Sequence, residues 1–218
     1  MKVISVNVGL PRTVIWHGQR VSTGIFKDPV EGRIPLRRLN FDGDRQADLS
    51  VHGGTHKAVY AYPIEHYPKW KSELPSLEFP YGAFGENLTV EGLSEDTLFV
   101  GDRLRVGSAL LQVTQPRLPC YKLGIRFQRD DMTKLFLASW RSGIYFLVEE
   151  EGDVAAGDNI EILSRDPHQV NVLDIQRLYL DHGADSALLQ RALQVEALPE
   201  SWKQWLRDKA AGARTIRV

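Results

Sequence analysis

The sequence is poor in cysteine and in long apolar runs. Cys120 is its only cysteine, which excludes an internal disulfide and a cysteine-rich zinc site. No apolar run reaches the roughly 18 residues that a membrane-spanning helix needs. The apolar stretch that follows Lys2 is too short for the core of a signal peptide and is typical of an opening strand. We therefore expect a cytoplasmic protein that is not bound to a membrane.

Acidic residues are absent from the stretch around the single cysteine. The whole chain has a net charge of −1, which argues against binding to a nucleic acid polymer. From Arg103 to Arg129, however, there are six lysines and arginines and no Asp or Glu. Nearby cations favour a thiolate, which is a nucleophile and a soft metal ligand. The pattern admits two interpretations: a reactive Cys120, or an inert buried cysteine beneath a solvated basic surface.

Turn signals and hydrophobic spacing divide the chain at about residue 164. Residues 1–164 contain many short strand signals, abundant glycine and few long helical segments, which predicts a β-barrel or sandwich with helical insertions. Residues 165–218 contain three short amphipathic helical segments. They are too small to bury much apolar area alone, so we expect a compact three-helix bundle docked on the barrel. The predicted class is mainly β followed by this bundle, α+β overall.

The helical tail has recognisable capping signals. Asn171 and Asp185 are good N-caps for two of the three helices. Trp202 and Trp205 lie at helical spacing in the third, and we interpret them as core residues. The predicted helices span 172–181, 186–194 and 199–211.

Several common catalytic motifs are missing. The sequence has no glycine-rich nucleotide-binding loop, no HExxH and no GxSxG motif. His52 and His56 are four residues apart, but Gly53-Gly54 between them predicts a loop, which argues against a zinc site. No flavin, haem or iron–sulfur motif is evident.

Five polar, glycine-rich segments remain as candidates for a binding site. Glycine allows close backbone approach and frees N–H groups for anions. Asn87 can donate and accept hydrogen bonds at one point, as a heterocycle requires. The cations able to make charge-assisted bonds with phosphate are Lys27, Arg45, Arg117 and Lys122. The segments are 23–27, 43–48, 51–60, 84–88 and 115–123.

These segments resemble the MOSC family, a β-barrel domain named after the C-terminal domain of molybdenum cofactor sulfurase. Within it, the chain resembles the YiiM subgroup, of the 6-N-hydroxylaminopurine resistance type. The helical tail is similar to the three-helix domain of that subgroup, so the resemblance covers nearly the whole chain. The matching motifs are GDRQAD at 43–48, VHGG at 51–54, KAVYAYPIEHY at 57–67, FGENL at 84–88, GD at 101–102 and QPRLPCYKL at 115–123.

The resemblance implies a molybdenum cofactor, Mo-molybdopterin, with Cys120 as a molybdenum ligand. Lys27 and Arg45 fall where relatives such as the mitochondrial amidoxime-reducing component place basic residues for the cofactor phosphate. Asn87 matches the asparagine of the pterin-contacting segment. Asp28 departs from the pattern, because those relatives have a small hydroxyl residue there. The residues assigned to the pocket by their proximity to the motifs alone are His52, Gly53, Gly54, Arg117, Tyr121 and Lys122.

The implied activity is the reduction of N-hydroxylated compounds, such as 6-hydroxylaminopurine, to the amine. Because no motif for another redox group is evident, we expect a separate electron-donating reductase as a partner. Two alternatives stay open. In the first, the protein is a sulfur carrier and Cys120 holds a persulfide. In the second, it is a non-catalytic protein that binds an anion in the basic pocket.

Overall fold

The computed structural model describes residues 1–47, 53–180 and 185–212. Within these residues it contains twelve strands, six α-helices and one short 3₁₀-helix at Thr55–Lys57, and none of these helices is long and apolar enough to cross a membrane. The strands are β1 (Lys2–Val8), β2 (Arg12–Trp16), β3 (Gln19–Thr23), β4 (Asp28–Val30), β5 (Ile34–Leu36), β6 (Val59–Pro63), β7 (Leu88–Glu91), β8 (Arg103–Val106), β9 (Ala109–Pro116), β10 (Ile144–Glu150), β11 (Gly152–Val154) and β12 (Ile160–Ser164). The helices are α1 (His66–Glu73), α2 (Lys122–Phe127), α3 (Met132–Ala138), α4 (Val172–Leu180), α5 (Ser186–Gln194) and α6 (Glu200–Ala210).

Eight of the strands form one sheet that curls into a barrel. Their order is β12-β8-β9-β10-β6-β7-β1-β4. The first residues of β1 also pair with the segment before β12: Lys2 bridges Asn159, and the Val3 N–H donates to the Asp158 carbonyl over 2.9 Å. Strand β1 therefore joins β7 on one side and the entry to β12 on the other. The predicted α+β fold with a β-barrel and a helical tail is confirmed.

The helical insertions pack over one part of the barrel through aromatic side chains. Strands β6 and β7 are parallel, so the chain must cross over between them, and this crossover carries α1. Trp70 of α1 stacks on Phe136 of α3 with 6.2 Å between ring centroids. Phe84, in the loop before β7, stacks on Tyr62 of β6 at 4.4 Å. These aromatic residues belong to a buried hydrophobic cluster that is separate from the main core. The cluster fixes the loop 82–87 and helices α2 and α3 relative to the sheet.

The helical tail begins with the predicted caps. The Asn171 side chain accepts a hydrogen bond from the Asp174 N–H over 2.7 Å, and the Asp174 carboxylate accepts from the Asn171 N–H over 3.2 Å. This reciprocal pair is a capping box. Asp185 caps α5 by accepting from the N–H groups of Ala187 and Leu188. Both predicted caps are confirmed.

The tail and the barrel share one hydrophobic core. Ile175 and Leu206 of the tail belong to the same buried cluster as Leu111 and Val113 of β9. The last strand ends at Ser164, and the first helix of the tail begins eight residues later in the chain. The predicted domain boundary at 164/165 stays a prediction, since the two parts are not separately packed.

Helix α2 was not predicted. It has only six residues, and Gly124 in its middle disfavours a helix by propensity. The structure needs glycine there because a Cβ on residue 124 would lie 2.7 Å from the Arg129 carbonyl oxygen. Tertiary packing therefore overrides the local signal.

The shared core predicts one unfolding transition for barrel and tail together. Replacing the fully buried Ile175 by Ala removes three carbons from that core, and we expect a loss of about 2–5 kcal/mol in the free energy of unfolding. Urea unfolding followed by far-UV circular dichroism and by tryptophan fluorescence would measure it. The two probes should give coincident curves, whereas Leu163→Ala, at a half-exposed site, should change little. Two separated transitions would contradict a shared core.

Candidate active site

A cleft of about 640 Å³ opens where the loops around the barrel meet α2. It is bounded by the segment after β3, the loop before β7, the end of β9 and the start of α2. None of the described residues that line it is acidic. They are Thr23, Gly24, Ile25, Lys27, Gln46, Ala47, Lys57, Tyr60, Gly85, Asn87, Arg117, Leu118, Cys120, Lys122 and Tyr145.

Cys120 lies at the turn that connects β9 to α2 and is half-buried. Its carbonyl accepts hydrogen bonds from the Leu123 N–H over 2.9 Å and from the Thr133 hydroxyl over 3.3 Å. These bonds anchor the turn to both α2 and α3. The only thiol of the protein is therefore held on a fixed backbone at the wall of the cleft.

Lys57 is a cation beside the thiol that the sequence analysis did not assign to the site. It precedes β6 and lines the same cleft as Cys120. Burial lowers the pKa of the Lys57 ammonium, and the charge of Cys120 acts in the opposite direction. The sequence feature that could have identified Lys57 as a site residue is its position at the start of the motif KAVYAYPIEHY.

Arg117 is buried and its guanidinium is held by neutral partners. It donates to the Phe84 carbonyl, and its guanidinium carbon lies 4.8 Å from the centroid of the Tyr60 ring. The Tyr60 hydroxyl in turn donates to the Ser142 carbonyl over 2.8 Å. Over the described parts of the chain, no carboxylate pairs with Arg117. Its positive charge is therefore fixed in place without being neutralised.

Lys122 is the most informative cation of the cleft. It is the first residue of α2 and is only 9% exposed, yet its ammonium has no hydrogen bond or ion pair with any described residue. The residue as a whole is buried, whereas its ammonium stays open to the cleft. A cleft that keeps such a group is suited to bind an anion, which would supply the missing partner.

Lys27 and Asn87 belong to a buried network centred on Asp44. The Asp44 carboxylate accepts hydrogen bonds from Lys27 Nζ, from Asn87 Nδ2 over 2.9 Å and from the Gly9 N–H over 3.0 Å. Burial lowers the pKa of Lys27, and the Asp44 charge opposes this shift. Asn87 Oδ1 accepts from the Tyr60 N–H over 3.2 Å. Both predicted contact residues therefore line the cleft with their polar groups already engaged.

Glu86 explains why the motif FGENL adopts its loop conformation. Its carboxylate is fully buried and accepts hydrogen bonds from the N–H groups of Gly82 and Phe84, over 2.8 and 3.0 Å, from the Thr89 hydroxyl over 3.0 Å and from the Tyr67 hydroxyl. Burial raises the pKa of Glu86. The side chain organises the loop from inside and does not line the cleft.

The structure brings together five of the predicted site residues in the cleft, and four others do not line it. Those that line the cleft are Cys120, Lys27, Asn87, Arg117 and Lys122. Arg45, Gly53, Gly54 and Tyr121 are not among its lining residues, and Arg45 and Tyr121 are exposed. His52 lies outside the described residues.

The backbone of Arg45 packs closely against Gly24, and the residue is exposed. A Cβ at Gly24 would lie 2.5 Å from the Arg45 carbonyl oxygen, so the backbone of residue 45 presses against the segment after β3. The neighbouring Gln46 and Ala47 line the cleft instead.

Comparison with known proteins places this barrel and tail in one family. Residues 48–161 match the MOSC domain, and residues 171–210 match the YiiM-like, 3-alpha helix domain. The chain belongs to the MOSC family. The assignment to the YiiM subgroup is also confirmed. A crystal structure of YiiM from Geobacillus stearothermophilus superposes on this chain with a TM-score of 0.80 and 31% sequence identity. The superposition covers 95% of this chain and 98% of that one.

Two curated relatives are also similar to this MOSC protein over most of its length. The uncharacterized protein YflK of Bacillus subtilis is 43% identical over 201 residues, which cover 92% of this chain and 90% of YflK. A protein of Gibberella moniliformis named reductase is 33% identical over 181 residues. That match covers 82% of this chain but only 32% of the reductase.

The Asp44 network predicts a large loss of stability when its carboxylate is replaced. In Asp44→Asn the buried Lys27 ammonium loses its counter-charge, and we expect a loss of about 3–5 kcal/mol in the free energy of unfolding. Urea denaturation measures this, with Asp42→Asn, at an exposed ion pair, as the matched control. Adding Lys27→Met to Asp44→Asn should restore a substantial part of the loss. No recovery in the double variant would refute the pairing as the cause.

Proposed function

We propose that this MOSC protein is a molybdenum-cofactor-dependent reductase of N-hydroxylated compounds, 6-hydroxylaminopurine and related base analogues among them. One observation carries the proposal: the only thiol of the chain lies on the wall of a cleft that has no acidic residue among its described lining, and Lys122 in the same lining has no described partner. A thiolate suits a soft metal, and the unpaired cation suits the phosphate of an anionic cofactor. The name of the Gibberella moniliformis relative supports a reduction.

The residues of the cleft fit the two chemically different ends of such a cofactor. Cys120 would be the protein ligand of molybdenum. Lys122 and Arg117 would hold the phosphate, since neither is neutralised by a described carboxylate. Lys27 and Asn87 would shape the wall, because Asp44 already holds their polar groups. This assignment gives the phosphate to Lys122 ahead of Lys27.

The reaction breaks the N–O bond of the substrate. The hydroxylamine takes up two electrons and two protons and leaves as the amine and water. When bound, the molybdenum cofactor supplies the two-electron redox chemistry. The chain contributes binding, orientation and charge: Lys57 keeps a cation beside Cys120, and Tyr145 presents its ring to the cleft with a hydroxyl whose pKa burial raises, so that it stays protonated.

Electrons would come from a separate reductase. This part of the proposal rests on the sequence, which shows no flavin, haem or iron–sulfur motif. The opening of the cleft is where such a donor would approach.

The proposal predicts molybdenum in the protein and activity that depends on Cys120. Protein from a host that makes the cofactor should contain molybdenum, measured by mass spectrometry, and should reduce 6-hydroxylaminopurine with reduced methyl viologen as donor. Cys120→Ser should lose at least about 99% of this activity, a loss of roughly 3 kcal/mol in transition-state stabilisation. Its thermal midpoint should match the wild type.

The outcome also separates the alternatives. Molybdenum-free protein that bears a persulfide on Cys120 would favour a sulfur carrier. Protein with neither, in which Cys120→Ser leaves the resistance of cells to the base analogue unchanged, would favour a non-catalytic anion-binding protein. Either result would refute the reductase.

Lys122 gives a second prediction that needs no activity. Lys122→Gln should weaken binding of inorganic pyrophosphate to cofactor-free protein by at least about tenfold, since a charge-assisted bond is lost. Titration calorimetry would measure it, with the exposed Lys134→Gln as control. The variant should be about as stable as the wild type, because the lost ammonium makes no hydrogen bond or ion pair with a described residue. Unchanged affinity would exclude Lys122 from the anion site.

A further inference from the structure

A second pocket, of about 680 Å³, lies between the barrel and the helical tail. It adjoins the cleft, because Lys57, Leu118 and Tyr145 line both spaces. Its remaining walls come from β9 and from two helices of the tail. Its lining residues are Lys57, Gln115, Leu118, Tyr145, Tyr179, Ser201, Trp202 and Trp205.

Three aromatic rings of the tail form one wall of this pocket. Tyr179 of α4 lies 4.8 Å from Trp205 and 5.6 Å from Trp202 of α6, measured between ring centroids. Tyr145 of β10 contributes a fourth ring from the barrel. Flat aromatic surfaces favour planar ligands, since stacking on an aromatic side chain is worth about 1–3 kcal/mol per base.

The pocket also contains a polar group without a partner. Gln115 is 95% buried, with a relative exposure of 5%, and its side-chain amide makes no hydrogen bond within the described ranges. It lies on β9 opposite Tyr145 of β10 in the sheet register. An amide both donates and accepts, and that of Gln115 stays open to the pocket. It is therefore placed to bind the edge of a ligand that offers both kinds of atom.

We infer that this pocket binds the planar nitrogen-heterocyclic part of the substrate, stacked on Tyr179 and Trp205 and hydrogen-bonded by Gln115. The N-hydroxylated group would reach the Cys120 cleft past Tyr145, which is shared by both spaces. The inference rests on the proposed reductase function and gives the helical tail a part in substrate selection. It makes Trp205 and Gln115 specificity-determining residues.

The test compares an aromatic with a non-aromatic substrate on the cofactor-loaded protein. Trp205→Leu and Gln115→Leu should each raise KM for 6-hydroxylaminopurine about tenfold, with kcat changed by less than about twofold. Neither should change kcat/KM for acetamidoxime, which has no ring to stack. Trp140→Leu, the same replacement at an exposed site lining a different groove, is the control and should leave both substrates unaffected.

Equal losses for both substrates would overturn the inference, because the pocket would then serve the reaction generally. Loss of molybdenum from either variant would overturn it too, since the pocket would then hold the cofactor. Titration calorimetry of cofactor-free protein with adenine separates this inference from the function itself. Adenine binding that weakens about tenfold in both variants, in a protein with no reductase activity, would support the pocket and refute the reductase. Wild-type protein that binds no adenine would refute the pocket even if the enzyme is active.

Discussion

The buried carboxylate of Asp44 joins three separate pieces of the chain at the base of the cleft. It accepts hydrogen bonds from the backbone after β1, from Lys27 after β3 and from Asn87 before β7. These pieces are distant in sequence, and two of them, at Lys27 and Asn87, line the cleft. A carboxylate with three donors satisfies the burial requirement of a charged group. The positions of these two cleft residues therefore depend on this one acceptor.

The cations of the cleft consequently have different tasks. Lys27 is neutralised by Asp44 and is structural in effect, whereas Arg117 is oriented by a carbonyl and an aromatic ring and keeps its charge. Lys122 has an ammonium that is open to the cleft and has no described partner. An anion that enters the cleft would therefore meet positive charges that are neutralised to different extents. We expect the strongest attraction at Lys122, whose charge has no described partner.

How much the sequence predicted depends on whether the signal was local. The helix 186–194 and the caps Asn171 and Asp185 match the structure, because propensity and capping act over a few residues. The pairing of Lys27 with Asp44 was missed, since 17 positions separate the two residues and only the fold makes them neighbours.

The tail shows the same limit of local signals. Trp202 and Trp205 were assigned to the core by their spacing. Trp202 is buried there, and yet both residues also line a pocket. Helical periodicity identifies the face that turns inward, but it does not distinguish a filled interior from a lined cavity.

The core shared by tail and barrel has a consequence for how such a protein can change. Leu206 and Ile175 hold α6 and α4 against the barrel, while Trp205 and Tyr179 on the same helices face the pocket. A substitution that reshapes the pocket thus also alters the packing that keeps the barrel folded, and the tail is not an exchangeable module. New substrate preferences would have to arise by single, stability-limited steps within these two helices.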